Sequence, residues 1–148
     1  MTVAENPLYK DLVKQFGDAL HDAAFITEKP KQIISVSPKL DLALGGGVPE
    51  GSLFIMTGPE KIGKTVTALS FCANAQSQER FVYYGNIEGR LKKRDLEGIR
   101  ELQLGPEQFQ MVGSSEGNIL SGEDYLGIFD KVVHGHPKSV AVVDSFSA

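Results

Sequence analysis

The chain has 148 residues, enough for one domain or part of one. Hydrophobic residues at 41% and charged residues at 23% are ordinary for a soluble globular chain, and a net charge of −4 leaves no overall basic footprint, so any nucleic-acid contact needs a local patch or a part not present in these residues. A single cysteine, Cys72, excludes a disulfide framework and suggests a reducing compartment, and the absence of a leader-like start or a membrane-length apolar run points to a cytoplasmic protein with no membrane partner.

Asn6-Pro7 reads as a helix start, with Asn as N-cap and Pro in the first turn. Leu8, Leu12, Val13, Phe16, Leu20 and Ala23 then fall on one face of an amphipathic helix of about four turns, weakened at Gly17. It either packs on its own domain or serves as an arm that docks on a neighbouring subunit, with Phe25 and Ile26 as anchors. After a polar break at 28–31, Gln32–Val36 reads as a short strand. Pro38–Leu44 reads as a helical turn or two, stopped by Gly45-Gly46-Gly47.

Ser52–Thr57 reads as a buried strand. It runs into Gly58-Pro59-Glu60-Lys61-Ile62-Gly63-Lys64-Thr65, which has the form G-x-x-x-x-G-K-[ST] of a phosphate-binding loop. A triphosphate needs several convergent N–H donors and a cation. Gly58 and Gly63 permit the tight turn and the close approach of backbone to phosphate. The amides of Glu60–Thr65 can form a nest, Lys64 would reach the outer phosphates, and the Thr65 hydroxyl would ligate Mg²⁺. Lys64–Gln76 reads as a helix whose N-terminus favours an anion. By chance the pattern is expected in roughly one chain in two hundred of this length, so a nucleotide site is the reading carried forward. Cys72, inside this helix, reads as a small core hydrophobe.

Arg80–Gly85 reads as a strand of aromatic and β-branched residues that delivers Asn86 and Glu88. Glu88 is placed to polarise an attacking water; the plain alternative is an exposed turn glutamate. Arg90-Leu91-Lys92-Lys93-Arg94 is a basic run. It is either a solvated helix start or a contact to nucleotide or neighbour, and the helix is expected to continue to Leu102. Phe109–Val112 reads as a strand and Gly122–His134 as a helix. His134-Gly135-His136 reads as a surface loop with some His134 packing and no metal role. Ser139–Asp144 is an apolar run ending in a carboxylate, the pattern of a central parallel strand buried on both faces. Asp144 is placed to hold Mg²⁺ opposite Thr65, or else to cap a turn. Strands and helices alternate, so the expected class is α/β, a mostly parallel sheet with ligands at the carboxyl ends of the strands.

The stretch from about Ile33 to Ala148 resembles the RecA/Rad51 recombinase superfamily. The resemblance is carried by Leu40–Gly51 (LDLALGGGVPEG), by the Gly-Pro-Glu opening of the phosphate loop, by Val82–Glu88 and by Val142-Val143-Asp144-Ser145. The N-terminal helix with Phe25–Lys29 is similar, more weakly, to the tailed-phage strand-exchange branch. The resemblance implies a RecA-like P-loop ATPase core over 33–148, incomplete at its C-terminal end, and a polymerisation arm in 1–32. It also implies Glu88 and Lys64 as catalytic residues, ATP and Mg²⁺ as cofactors, and a homo-oligomeric filament on single-stranded DNA for homologous pairing and strand exchange, in a host cytoplasm if phage-encoded. Asn86 stands where the family usually has Asp, and only Lys92 or Arg94 is available as an adenine contact. The family's two mobile DNA-binding loops follow the strand that ends at Asp144, so the chain reads as the N-terminal part of a longer protein. Other RecA-fold ATPases, clock-type or helicase-type rings, and a paralogue that binds ATP without hydrolysing it are the alternatives.

Overall fold

A computed structural model describes residues 6–17 and 31–145. The expectations for Leu20, Ala23, Phe25, Ile26 and the last three residues lie outside them. Contacts divide the chain into two units, Met1–Gln32 and Ile33–Ala148.

In the first unit the described element is α1, Pro7–Phe16. Asn6 Oδ1 accepts the Leu8 amide at 2.9 Å, and Pro7 sits in the first turn, where a missing N–H leaves no bond unmade. The helix ends at Gly17, which takes a positive φ of 46° and returns its N–H to the Val13 carbonyl. Leu8, Val13 and Phe16 are exposed along α1.

The second unit opens with an antiparallel pair, β1 (Ile33–Ile34) and β2 (Val48–Pro49), in which Ile34 faces Val48. Between them runs α2, Pro38–Leu44. Asp41 ties the turn together: its carboxylate accepts the Ser35 hydroxyl at 2.6 Å and the Val36 amide at 2.8 Å. These bonds, the serine hydroxyl first, hold its carboxyl below the ordinary range. Gly47, at φ 134°, lies against the Ile34 carbonyl, where any Cβ would collide with backbone, so only glycine closes this pair.

The main sheet has three parallel strands in the order β4-β3-β5: β3 is Phe81–Asn86, β4 is Phe109–Val112 and β5 is Ser139–Asp144. Before β3 comes α3, Lys64–Gln76. The crossovers carry α4 (Lys93–Glu97) and α5 (Gly122–Gly135), and a reciprocal Ser121/Asp124 box starts α5.

Period-two alternation along β3 sorts its side chains. Val82 and Tyr84 turn to one face and join Leu69 and Cys72 of α3 and Phe109 of β4 in the buried core. The Tyr84 and Phe109 rings stack at 5.9 Å. Each such fully buried large side chain contributes on the order of 2 kcal/mol. On the other face, Gly85 leaves room for Phe129 of α5, whose ring would be 2.8 Å from an added Cβ. Both faces of β3 are therefore covered.

Four sequence expectations change. Ser52–Thr57 joins no ladder among the described residues, and Leu53 and Ile55 are exposed, although Arg80, itself buried, pairs with Glu50 at 2.8 Å just upstream. For the same reason β5 is not a central strand: it pairs with β3 alone, its other edge has no partner among the described residues, and its residues are half-buried or exposed. The helix expected over Arg90–Leu102 is only α4. Gly98 ends it, Glu101 takes a positive φ, and turns continue the path, yet Leu91, Leu96, Ile99 and Leu102 still pack on the core. The strand expected at Gln32–Val36 shrinks to β1.

Filling the Gly85 gap tests this packing. Gly85→Ala should push Phe129 off the sheet and cost about 1–3 kcal/mol, the usual range for overpacking. A urea titration should show a lower midpoint with an unchanged slope; an unchanged midpoint would mean that α5 is not seated on β3 as described.

Candidate functional site

The carboxyl edge of the three-stranded sheet brings together the candidate residues Glu88 and Asp144. In the β3–β5 ladder Asn86 stands beside Asp144, the last residue of each strand. The Ile87 amide then donates to the Asp144 carbonyl at 3.0 Å, which carries the ladder one step further and fixes the turn bearing Glu88. Glu88 is held on both oxygens: Oε1 accepts the Ser145 hydroxyl at 2.6 Å, and Oε2 lies 3.3 Å from Arg90 Nε. Arg90 is largely exposed, so this ion pair adds little stability.

Asp144 is gripped from below. Tyr84, fully buried, donates its hydroxyl to Asp144 Oδ2 at 2.7 Å. Burial first, and the adjacent carboxylate second, push the tyrosine hydroxyl far above its ordinary range, so it remains a donor.

The loop of the G-x-x-x-x-G-K-[ST] pattern leads into α3, whose other end is tied to the sheet. At its C-terminal end the Gln76 amide bonds the carbonyls of Gln103 (2.8 Å) and Gln108 (3.2 Å), at the start of β4. Thirteen helical residues span about 20 Å, about the length of β3. Gly63, at φ 94°, is the N-cap, and no side chain caps the helix. Gly58 and Lys61 also take positive φ, which gives the loop its tight curl. Lys64 Nζ folds back on this loop and donates to the carbonyls of Gly58 (2.8 Å) and Pro59 (2.7 Å). Thr65 follows in the first turn of α3.

These features fit a nucleotide with its metal. The lysine is a multiple donor satisfied only by its own loop carbonyls, the curl rests on glycines, and the oxygen donors of Thr65 and Asp144 suit a hard cation such as Mg²⁺. Among the described residues no group of three or more His, Cys, Asp and Glu could hold a metal unaided, so water and phosphate oxygens would complete the coordination.

The family model for the RecA N-terminal domain matches residues 8–148. The chain belongs to this family, within the RecA/Rad51 superfamily. It is 33% identical over 140 residues to the protein RecA of Bifidobacterium longum, covering 91% of this chain and 33% of that one. It is 33% identical over 149 residues to the RecA of Thermus thermophilus (97% and 41%) and 35% identical over 148 residues to a mitochondrial DNA repair protein recA homolog of Dictyostelium discoideum (97% and 31%). The chain thus spans about a third of the length of these curated relatives.

Within this RecA-family chain, sequence reasoning passed over Tyr84 and the Ser145 and Arg90 partners of Glu88. Arg90 and Ser145 were visible as residues, but their pairing with Glu88 depends on a turn and a register that no local pattern encodes. The histidines also change places. His136, not His134, packs on aromatic rings, 5.3 Å from Phe81 and 5.9 Å from Tyr83, while His134 stays exposed beside Asp130. No helix among the described residues is long and apolar enough to cross a membrane.

Cys72 lies under the site but is no nucleophile. It is fully buried, and desolvation pushes its thiol up to about 12. Ellman's reagent at pH 8 should therefore leave it unmodified in the folded chain and titrate it fully in urea. Since unfolding frees the thiol to ionise near its ordinary value of 9.0, the folded state should lose stability as pH rises above that value. Rapid labelling without denaturant would contradict the packing.

Proposed function

We propose that this chain is the ATP-binding and hydrolysing part of a RecA-type recombinase, and that the protein acts as a homo-oligomeric, ATP-dependent filament on single-stranded DNA in recombination and repair. What supports the reading is the Gly58–Thr65 loop, curled on glycines and latched by Lys64, together with the carboxylates Glu88 and Asp144 at the carboxyl ends of β3 and β5. The relatives named RecA and DNA repair protein support it.

In this reading the amides of Glu60–Thr65 (Glu60, Lys61, Ile62, Gly63, Lys64 and Thr65), opened by Gly58 and Pro59, cradle the phosphates. Lys64 exchanges its loop carbonyls for phosphate oxygens, and Thr65 and Asp144 are the protein's oxygens toward Mg²⁺. Mg²⁺ held there would supply neutralisation of the phosphate charge. Glu88, aimed by Ser145 and Arg90, orients the attacking water and takes its proton. The first 32 residues act as a polymerisation arm, 33–148 as the ATPase core, and the protein works in the cytoplasm. Single-stranded DNA is contacted mainly outside these residues, since their net charge is −4 and non-specific DNA affinity comes from cations that neutralise phosphates.

Two substitutions test the chemistry. Lys64→Ala should weaken binding of a fluorescent ATP analogue with Mg²⁺, and unchanged affinity would remove the loop from the site. Glu88→Gln should leave nucleotide binding intact while turnover falls by roughly a hundredfold, the scale of a lost acid–base group. Equal losses in both would make Glu88 a structural residue. DNA-stimulated ATPase, measured with and without single-stranded DNA, should be missing from residues 1–148 alone and present in a protein extended to the length of the relatives.

A further inference from the structure

Tyr84 joins the hydrophobic core to the candidate metal carboxylate. Its ring is fully buried and stacked on Phe109 at 5.9 Å, so it has no freedom to swing. Its register partner on β5 is Val142, two residues before Asp144, and from there its hydroxyl reaches Asp144 Oδ2 at 2.7 Å. A rigid aromatic donor therefore occupies one carboxylate oxygen and fixes the plane of the other.

We propose that Tyr84 is a positioning residue for metal binding: by holding Oδ2 of Asp144, it presents Oδ1 to Mg²⁺ or to the metal's water shell. The inference rests on the reading of Asp144 as the metal-facing carboxylate. Without the hydroxyl, the Asp144 side chain can rotate about its terminal torsion, and each metal-binding event must first reorder it. Partners of this kind, one bond removed from the metal, typically change metal affinity by 10- to 100-fold when removed.

Tyr84→Phe keeps the ring and its stack and deletes only the donor. The measurement is the Mg²⁺ concentration that half-saturates the metal-dependent part of N-methylanthraniloyl-ATP binding to the full chain, compared for wild type, Tyr84→Phe and Asp144→Asn. The expected result is a midpoint about tenfold higher in Tyr84→Phe, with affinity for the analogue in EDTA unchanged. A midpoint shifted by Asp144→Asn but not by Tyr84→Phe would overturn the positioning role alone. A midpoint unmoved by Asp144→Asn would overturn the Asp144 assignment and the inference with it.

A second measurement needs no substitution at Tyr84. The chain has four tyrosines, so 3-fluorotyrosine labelling gives four ¹⁹F resonances, and Phe replacements at Tyr9, Tyr83 and Tyr125 identify that of Tyr84. The Tyr84 resonance should move on addition of Mg²⁺ to the nucleotide-loaded chain and stay in place with nucleotide and EDTA. An identical spectrum in both conditions would defeat the proposal.

Discussion

Six residues of β3 run parallel to six of β5, and the register of that ladder sets where every group at the carboxyl edge stands. Asn86 pairs with Asp144, the Ile87 amide extends the pairing to the Asp144 carbonyl, and Glu88 emerges from the turn that follows. A slip of one residue would exchange the faces of β5 and leave the Tyr84 hydroxyl without its carboxylate. The core enforces the same register from inside. Val82 and Tyr84 can be buried against Leu69 and Cys72 only if Gly85 faces Phe129. Packing and site geometry are thus two readings of one constraint.

The division of labour within the edge follows from burial. Asp144 is tied to the interior through a fully buried tyrosine, whereas Glu88 is tied to the surface through an exposed arginine and a serine hydroxyl. In the proposed reading, the metal-facing Asp144 would benefit from a fixed orientation. Glu88, proposed to meet a water molecule and exchange a proton, would benefit from partners that can yield. The loop at the N-terminus of α3 is a third case, shaped by backbone conformations that glycine tolerates and by a lysine bonded to its own carbonyls.

What the sequence made legible was local. The helix start at Asn6-Pro7, the turn of helix at Pro38–Leu44 stopped by glycines, and the aromatic, β-branched strand at Arg80–Gly85 depend on neighbours a few positions away, and they stand where cap chemistry and local composition put them. The illegible part was pairing across distance. Ser52–Thr57 and Ser139–Asp144 both have apolar strand composition, but composition does not say whether a ladder partner is at hand. One stays out of the sheet and the other pairs on one edge among the described residues. Tyr84 looked like any aromatic strand residue, because its partner lies 60 positions away. His134 and His136 were likewise separated only by which of them the end of α5 turns toward Phe81 and Tyr83.

Lys64 carries a thermodynamic consequence of its own. Its ammonium makes two bonds to the Gly58 and Pro59 carbonyls, which tie the loop to the start of α3. In the proposed reading an arriving phosphate would not meet a bare cation. It would trade places with two carbonyl oxygens. The exchange is nearly balanced in hydrogen-bond number, so the heat released at this loop should be small for the charge involved. Much of the favourable free energy would then come from water and counter-ions set free, and the loop would act as a swap of acceptors more than as an open trap.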